Sequence, residues 1–215
     1  MSSTPDQVSK ILLDLHAISL NTKEPFRYDS GILSPVYIDN RILVSYPEER
    51  QIIRDLYIDA MKSTGGQFDL IAATATAGIP HAAWIADKLN LPMVYVRGKA
   101  KDHGKRNRVE GVVKKGAKVA VIEDLISTGE SSIETAEAVR QAGGKVSYIF
   151  AIITYEMEKS KENFQKNNLK LIPLTTFKDV LTLAQNSGQI SQKESKIILD
   201  WTKDPESWGK TNGFR

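Results

Sequence analysis

Residues 119–132 read VAVIEDLISTGESS and combine an apolar run with two adjacent carboxylates. The run from Val119 to Ile122 is rich in β-branched residues, which predicts a short strand buried on both faces. Glu123 and Asp124 follow that strand directly. A carboxylate pair is unsuited to holding phosphate, but it suits sugar hydroxyls, or a metal between hydroxyls and a diphosphate.

A turn of small residues, Ser127-Thr128-Gly129, then leads into a helical pattern over residues 131–142. The free N–H groups and the dipole at a helix N-terminus attract negative charge, so such a turn favours a phosphate. The turn alone would favour an ordinary strand–turn–helix unit with Ser131 as N-cap. Because two acids come directly after the predicted strand and shortly before this turn, we favour a cradle for a sugar phosphate.

The composition excludes several classes of protein. At 215 residues the chain fits one domain, and the absence of cysteine excludes disulfides and thiolate metal sites. The net charge of +3 is too small to indicate nucleic-acid binding by itself. Residues 1–30 carry no secretory pattern, and no apolar run approaches the length of a membrane span. We expect a soluble cytoplasmic protein with no membrane or nucleic-acid partner.

Predicted strands alternate with predicted helices along the chain, which indicates an α/β fold with a mostly parallel sheet flanked by helices. The first predicted helix has Thr4 as its N-cap, and the tail from residue 210 is expected to be loose. The predicted strands are 70–73, 93–96, 119–122, 145–154 and 169–174. The predicted helices are 5–19, 47–62, 79–89, 131–142, 155–167, 177–184 and 192–201.

Residues 24–41 concentrate aromatic and cationic side chains around two turn signals. A small antiparallel hairpin would explain the pattern structurally. The same mix of side chains could also line a pocket for a flat, anionic ring. Its members are Phe26, Arg27, Tyr28, Tyr37 and Arg41.

Residues 97–108 carry six cationic side chains and one acid, with no apolar residue larger than alanine. Such a segment cannot build a core, so it should form an exposed loop. A charge run is usually only a solvated surface. This one follows a predicted core strand, however, and would emerge at the sheet edge where ligands bind in open α/β folds.

The 119–131 pattern resembles the phosphoribosyl pyrophosphate (PRPP) signature of type I phosphoribosyltransferases, and it lacks the lysine of a P-loop. The run F-x-x-x-S-G-x-x-S-P-x-Y-x-D-x-R over 26–41 is similar to the N-terminal segment of the orotate phosphoribosyltransferases. The run R-x-x-x-K-x-H-G over 97–104 resembles the catalytic loop of that family. The resemblance covers most of the chain. It implies a small hood, about residues 1–45, over the α/β core, and a pyrophosphate loop at 74–78.

The family resemblance also implies roles for individual residues. Lys101 and His103 would be catalytic, either of them passing a proton, and Ser127 would also reach orotate. Glu123 and Asp124 would hold the ribose hydroxyls, and the residues that follow them would cradle the 5′-phosphate. The set implied to bind PRPP is Arg97, Lys101, His103, Glu123, Asp124, Leu125, Ile126, Ser127, Thr128, Gly129, Glu130 and Ser131.

The implied reaction converts orotate and PRPP into orotidine 5′-monophosphate and pyrophosphate, a step of UMP synthesis. Mg²⁺ would be bound mainly through PRPP, with no protein residue assigned as a metal ligand. The family further implies a homodimer in which the basic loop reaches into the neighbouring subunit's site. No catalytic motif is recognised in the C-terminal third of the chain.

Three positions depart from the family pattern and leave the contacts to orotate's carboxylate undefined. Asp29 and Ala77 stand where many members have lysine, and Thr154-Tyr155 stands where some have an arginine. Glu130 is unfavourable beside a phosphate, so we expect it to point outward.

Two other functions fit parts of the pattern. A purine phosphoribosyltransferase would share the core, but its hood would differ from residues 26–41. A PRPP-sensing regulator that binds nucleic acid would explain the basic loop, and it would need no catalytic lysine or histidine.

Overall fold

The computed structural model describes residues 3–28, 30–98 and 108–214. Its strands are β1 (Ile18–Leu20), β2 (Phe26–Arg27), β3 (Leu33–Ser34), β4 (Val36–Ile38), β5 (Leu70–Thr74), β6 (Met93–Val96), β7 (Val109–Glu110), β8 (Lys118–Ile126), β9 (Lys145–Thr154) and β10 (Lys170–Thr176). Its α-helices are α1 (Thr4–Asp14), α2 (Pro47–Ser63), α3 (Gly78–Leu89), α4 (Glu130–Gln141), α5 (Glu158–Lys166), α6 (Phe177–Asn186), α7 (Gln192–Lys203) and α8 (Pro205–Thr211). A 3-10 helix spans Asn40–Ser45.

The described residues form a central sheet in the order β10-β9-β8-β5-β6-β7. Its strands run parallel except β7, which pairs antiparallel with β6. The predicted α/β class with a mostly parallel sheet is therefore confirmed. Strands β6 and β9 have the predicted bounds, and β5 and β10 lie within one or two residues of the predicted ones.

Alternate residues of β8 belong to two cores, one on each face of the sheet. Ala120 and Ile122 pack in the core that includes residues of α1, α2, α3, α6 and α7. Val119 and Val121 pack in the core that includes residues of α4 and α5. The continuous apolar run of this strand follows from burial on both faces, because successive side chains point to opposite sides.

The N-terminal segment forms two small antiparallel pairs. Strand β1 pairs with β4, with Ile18 opposite Ile38, and β2 pairs with β3, with Phe26 opposite Ser34. The predicted hairpin in residues 24–41 is confirmed. Trp201 of α7 donates a 3.1 Å hydrogen bond from Nε1 to the carbonyl oxygen of Leu33, which joins the second pair to the C-terminal helices.

The predicted first helix was too long and its cap was misplaced. Helix α1 ends at Asp14, and Ile18 lies in β1 instead. The backbone of His16 has φ of +53°, which a right-handed helix does not allow. Ser3, rather than Thr4, is the N-cap and accepts a hydrogen bond from the N–H of Asp6.

The predicted end of the 119–122 strand was also wrong, because β8 continues to Ile126 and includes both acids. Backbone pairing with the long strand β9 extends β8 beyond Ile122. Glu123 lies opposite Ala151, and Ile126 lies opposite Thr154. Pairing with a neighbour thus overrides the local signal of two charged residues.

The C-terminal region differs from the prediction in a helix start and in the tail. Helix α5 begins at Glu158 rather than Tyr155, and α8 continues through the start of the tail expected to be loose. Phe214 stacks on Trp208 with ring centroids 5.5 Å apart, so an aromatic contact anchors the tail.

Within residues 3–28, 30–98 and 108–214, no helix combines the length and apolarity that a membrane span requires.

Candidate active site

Glu123 and Asp124 lie near the carboxyl end of β8 but in different environments. Glu123 is only 7% exposed, whereas Asp124 is half-buried. Burial, followed by the neighbouring charge of Asp124, raises the pKa of the Glu123 carboxyl well above its ordinary value. The N–H of Asp124 donates to Glu123 Oε1 at 3.0 Å. The two acids are therefore not equivalent, and Asp124 is the more accessible to a ligand.

Side chains from other elements hold the main chain at these two acids. The Tyr57 hydroxyl, from α2, donates to the carbonyl oxygen of Glu123 at 2.6 Å. Asn40 Nδ2, from the 3-10 helix, donates to the carbonyl oxygen of Asp124 at 3.1 Å. Both partners are buried, so the acids sit on a rigid support.

Three buried polar atoms have no hydrogen-bond partner among the described residues: Asn40 Oδ1, Thr74 Oγ1 and His81 Nδ1. Burial lowers the pKa of His81 to about 4, against an opposing effect of the Asp124 charge, so this imidazole is neutral at pH 7. His81 also packs edge-on against Trp84, with ring centroids 5.4 Å apart. This burial and the contact with Trp84 indicate a packing role for His81.

Residues 127–131, hereafter the 127–131 loop, join β8 to the N-terminus of α4. Gly129, rather than Ser131, is the N-cap residue, and its φ of +80° is favourable only for glycine among common residues. Ser127 and Ser131 are exposed and Thr128 is half-buried. The loop therefore presents hydroxyls and helix N–H groups together beside the two acids.

The side chain of Glu130 is exposed, in agreement with the expected outward orientation, and it pairs with α5. Its Oε1 forms a 3.1 Å ion pair with Nζ of Lys159, on α5, and both side chains are more than 60% exposed. An acid at this position also interacts favourably with the dipole of α4.

Residues 74–78 approach β8 closely. A Cβ atom on Gly78 would lie 2.6 Å from the carbonyl oxygen of Ile122, so only glycine fits where α3 begins. This contact brings the predicted pyrophosphate loop beside the acid-bearing part of β8. Thr76, within that loop, is exposed.

Arg97 lies at the start of the predicted basic loop, directly after β6. Its N–H donates to the carbonyl oxygen of Arg108 at 3.0 Å, and its guanidinium is 3.5 Å from a carboxylate oxygen of Glu110. These contacts fix the base of the loop at the ligand-binding edge of the sheet. Lys101 and His103 lie outside the described residues, as do Lys99, Lys105 and Asp29.

The aromatic residues of the predicted hood do come together. Tyr37 lies 5.8 Å from Phe26 and 6.4 Å from Tyr28, measured between ring centroids. Arg41 is held by Asp39 through two hydrogen bonds of 2.6 and 2.8 Å, which lowers the pKa of Asp39. Tyr37 is 40% exposed, so one side of this cluster remains open.

A cavity of about 410 Å³ lies between the hood, the 127–131 loop and the C-terminal helices. Ser127 and Tyr28 line it. Tyr155, Met157 and Trp201 line it too, although no site residue was predicted in the C-terminal third. Tyr155 follows β9 immediately, and the rule that ligands bind at the carboxyl ends of parallel strands could have identified it.

Comparisons with known proteins agree with this geometry. The sequence profile described as "Phosphoribosyl transferase domain" matches residues 41–178. That segment contains the acids, the 127–131 loop and the core strands β5, β6, β8 and β9. The fold and the site thus define a phosphoribosyltransferase.

Curated relatives narrow this class. Orotate phosphoribosyltransferase from Enterococcus faecalis is 48% identical over 210 residues, 98% of this chain and 100% of the relative. The enzyme of the same name from Coxiella burnetii is 46% identical over 202 residues, 94% of this chain and 97% of the relative. The chain therefore belongs to the orotate phosphoribosyltransferase family.

Solved structures show the same relationship. The crystal structure of orotate phosphoribosyltransferase from Aeropyrum pernix superposes with a TM-score of 0.72 at 30% identity. That match covers 86% of this chain and 99% of the other. UMP synthase from Leishmania donovani superposes with a TM-score of 0.75 at 29% identity, over 91% of this chain and 42% of the larger protein.

Proposed function

We propose that this protein transfers the phosphoribosyl group of PRPP to orotate, giving orotidine 5′-monophosphate and pyrophosphate for UMP synthesis. One observation carries the proposal. Glu123 and Asp124 lie near the end of β8, two residues before the 127–131 loop that leads into the N-terminus of α4. Acceptors for ribose hydroxyls and donors for a phosphate thus adjoin within one strand–loop–helix unit.

The two acids would have different roles in binding the ribose. Asp124, the more exposed, accepts hydrogen bonds from the 2′- and 3′-hydroxyls through its carboxyl oxygens. Glu123 is buried with a raised pKa and would lie behind it, shaping the site and donating or accepting as its protonation allows. The hydroxyls and N–H groups of the 127–131 loop then bind the 5′-phosphate.

The 410 Å³ cavity would receive the base. Ser127 places it next to the phosphate, and Tyr28 and Tyr155 provide aromatic walls for a flat ring. No arginine follows β9 in this chain. Tyr155 stands there, buried, and burial raises its pKa well above the ordinary value, so it remains a neutral phenol.

The chemistry forms one bond and breaks one. The N1 atom of orotate attacks C1 of the ribose while the bond from C1 to the pyrophosphate oxygen breaks, through a transition state with oxocarbenium character. Charge builds up on the departing pyrophosphate, and Arg97, Lys101 and His103 would stabilise it. N1 loses its proton as it bonds to C1, and Lys101 or His103 would pass a proton from N1 to the departing pyrophosphate.

Mg²⁺ would accompany PRPP and be held mostly by substrate oxygens and water. Among the described residues, no three histidine, aspartate or glutamate side chains converge to hold a metal. The carboxylates of Glu123 and Asp124 are oxygen donors of the kind that Mg²⁺ accepts, so the site fits a substrate-bound ion. The ion would neutralise part of the diphosphate charge.

We further propose a homodimer in which each basic loop completes the neighbouring site. Exposed apolar side chains at Tyr37, Val44, Tyr46 and Ile52 support a partner surface in residues 37–52. Mixing Lys101→Ala and Asp124→Asn subunits tests the shared site. Hybrid dimers would contain one intact site and restore about a quarter of wild-type activity. An inactive mixture, with hybrids demonstrated by mass, would contradict loop sharing.

The reaction itself is tested by the PRPP-dependent loss of orotate absorbance in the presence of Mg²⁺. Lys101→Ala should reduce kcat at least 100-fold. Lys145→Ala removes the same charge at the first residue of β9, at the amino-terminal end of that strand, and should leave turnover within about two-fold of wild type. Turnover of adenine or hypoxanthine in place of orotate would indicate a purine enzyme. Salt-dependent nucleic-acid binding without turnover would indicate a regulator.

A further inference from the structure

Three successive residues of the 127–131 loop contact helix α5. The carbonyl oxygen of Thr128 accepts a 3.0 Å hydrogen bond from Asn163 Nδ2. Gly129 lies against the ring of Phe164, where an added Cβ would be 2.7 Å from Cε2. Glu130 pairs with Lys159 at 3.1 Å. Helix α5 therefore supports this loop along its whole turn.

The contact to Glu130 is an ion pair, whereas the contacts to Thr128 and Gly129 involve no charged group. Glu130 is the first residue of α4, so its carboxylate lies at the helix end that would receive the 5′-phosphate. A carboxylate a few ångströms from a phosphate dianion repels it, even in water. Placing this charge at the phosphate site would weaken binding unless the side chain is turned away and neutralised.

We propose that Lys159 is a positioning residue that draws the Glu130 carboxylate away from the phosphate site and neutralises it. The inference rests on the proposed function, because it requires the phosphate of PRPP in the 127–131 loop. Lys159 acts through Glu130 and does not itself contact the phosphate. The two residues before Glu130, Thr128 and Gly129, contact α5 without charged side chains. They therefore need no cation to neutralise them.

The test is the affinity for PRPP, measured by titration calorimetry with no orotate present. Lys159→Ala should weaken PRPP binding about three- to ten-fold at low salt, from the repulsion expected at this separation. The loss should shrink as salt is raised to about 0.3 M, because both side chains are exposed and screened. Orotate is left out of the titration because Lys159 also lines the 410 Å³ cavity assigned to the base, so a change in the KM for orotate would not isolate its effect on the phosphate.

Lys166→Ala is the matched control. Lys166 lies on the same helix, about 10 Å further along its axis, and pairs with Glu162 at 3.8 Å. Its removal changes the net charge equally and should leave PRPP affinity unchanged. An equal loss in this variant would reduce the effect to overall charge and overturn the proposal.

A double-mutant cycle separates action through Glu130 from direct contact. In a Glu130→Gln background, Lys159→Ala should change PRPP affinity less than two-fold, because no repelling charge remains. An equal loss in both backgrounds would mean that Lys159 touches the phosphate and would overturn the proposal. Unchanged affinity in Lys159→Ala alone would overturn it as well.

The PRPP titration and the orotate assay together distinguish failure of this proposal from failure of the proposed function. If the wild type binds PRPP with the expected cycle but does not consume orotate, the role of Lys159 stands and the assigned base is wrong. If the wild type does not bind PRPP at all, both proposals are wrong.

Discussion

The hydroxyl of Tyr57 donates a 2.6 Å hydrogen bond to the main-chain carbonyl oxygen of Glu123. Tyr57 lies in the middle of α2 and is fully buried, 66 residues before its partner. A helix on one face of the sheet thereby holds the segment of β8 that carries both acids. The position of the acids depends on this packing as well as on their own strand.

Tyr57→Phe removes this hydrogen bond and keeps the ring. We expect a loss of about 1–2 kcal/mol in the free energy of unfolding, because the carbonyl oxygen loses a buried donor. Urea denaturation measures it, and PRPP affinity should fall as the acids shift. Tyr95→Phe is the control, since Tyr95 is 37% exposed and its loss should cost less than about 0.5 kcal/mol. Equal effects would show that the buried hydrogen bond contributes nothing specific.

His81 should make the protein less stable in acid. Burial lowers its pKa to about 4 in the folded state, against 6.5 for the free side chain. Between these values the unfolded chain binds a proton that the folded protein does not. Stability is therefore fully present above pH 6.5 and falls by about 3 kcal/mol towards pH 4.

His81→Gln removes this titration and isolates its effect. The raised pKa of Glu123 acts in the opposite direction, reducing stability as pH rises, but it is common to both proteins and cancels in the comparison. The difference in unfolding free energy between wild type and variant should therefore change across pH 4 to 6.5. Parallel stability curves over that range would contradict the assignment.

Gly129→Ala tests the geometry of the 127–131 loop. The alanine must adopt a positive φ and its Cβ meets the ring of Phe164, so we expect a destabilisation of about 2–4 kcal/mol. PRPP affinity should fall with it. Gly188→Ala shares a positive φ, +74°, but has no atom within 4 Å of the added Cβ. It should lose only the backbone contribution, about 1–2 kcal/mol, and keep PRPP affinity.

Trp201→Phe should weaken orotate binding specifically. It removes the hydrogen bond from Nε1 to the carbonyl oxygen of Leu33, and Trp201 also lines the cavity. Trp208→Phe removes a similar bond, to the carbonyl oxygen of Ile197 at 3.0 Å, away from the cavity. Both variants should lose about 1 kcal/mol of stability. Only Trp201→Phe should raise the KM for orotate, and equal KM values would contradict the placement of the base.

Local patterns were enough to predict most elements of the core. The bounds of β6 agree with the prediction, and α2, α3 and α4 agree within one residue. Apolar periodicity and turns of small residues each involve only a few consecutive residues, so they can be recognised in the sequence alone. The order of strand, acids, turn and helix over residues 119–142 could be recognised in the same way, and it predicted where along the chain the candidate site lies.

Long-range pairing explains the errors. Strand β8 includes Glu123 and Asp124 because β9 continues beside it, and no residue within 119–126 signals the length of that neighbour. Ile18 fits the helical period of α1 but pairs with Ile38 in β1. In both places a ladder formed with a distant segment decided the structure.

The sequence by itself determined the fold class, the strand–loop–helix unit around Glu123 and Asp124, and the hood motif, because each depends on neighbours along the chain. Tertiary structure alone decided that Glu123 is buried while Asp124 is accessible, since Tyr57 and Asn40 reach them from other elements. It also decided that Tyr155 and Trp201 close the cavity against Tyr28. Burial and electrostatic environment arise from packing between remote segments, and local sequence does not encode them.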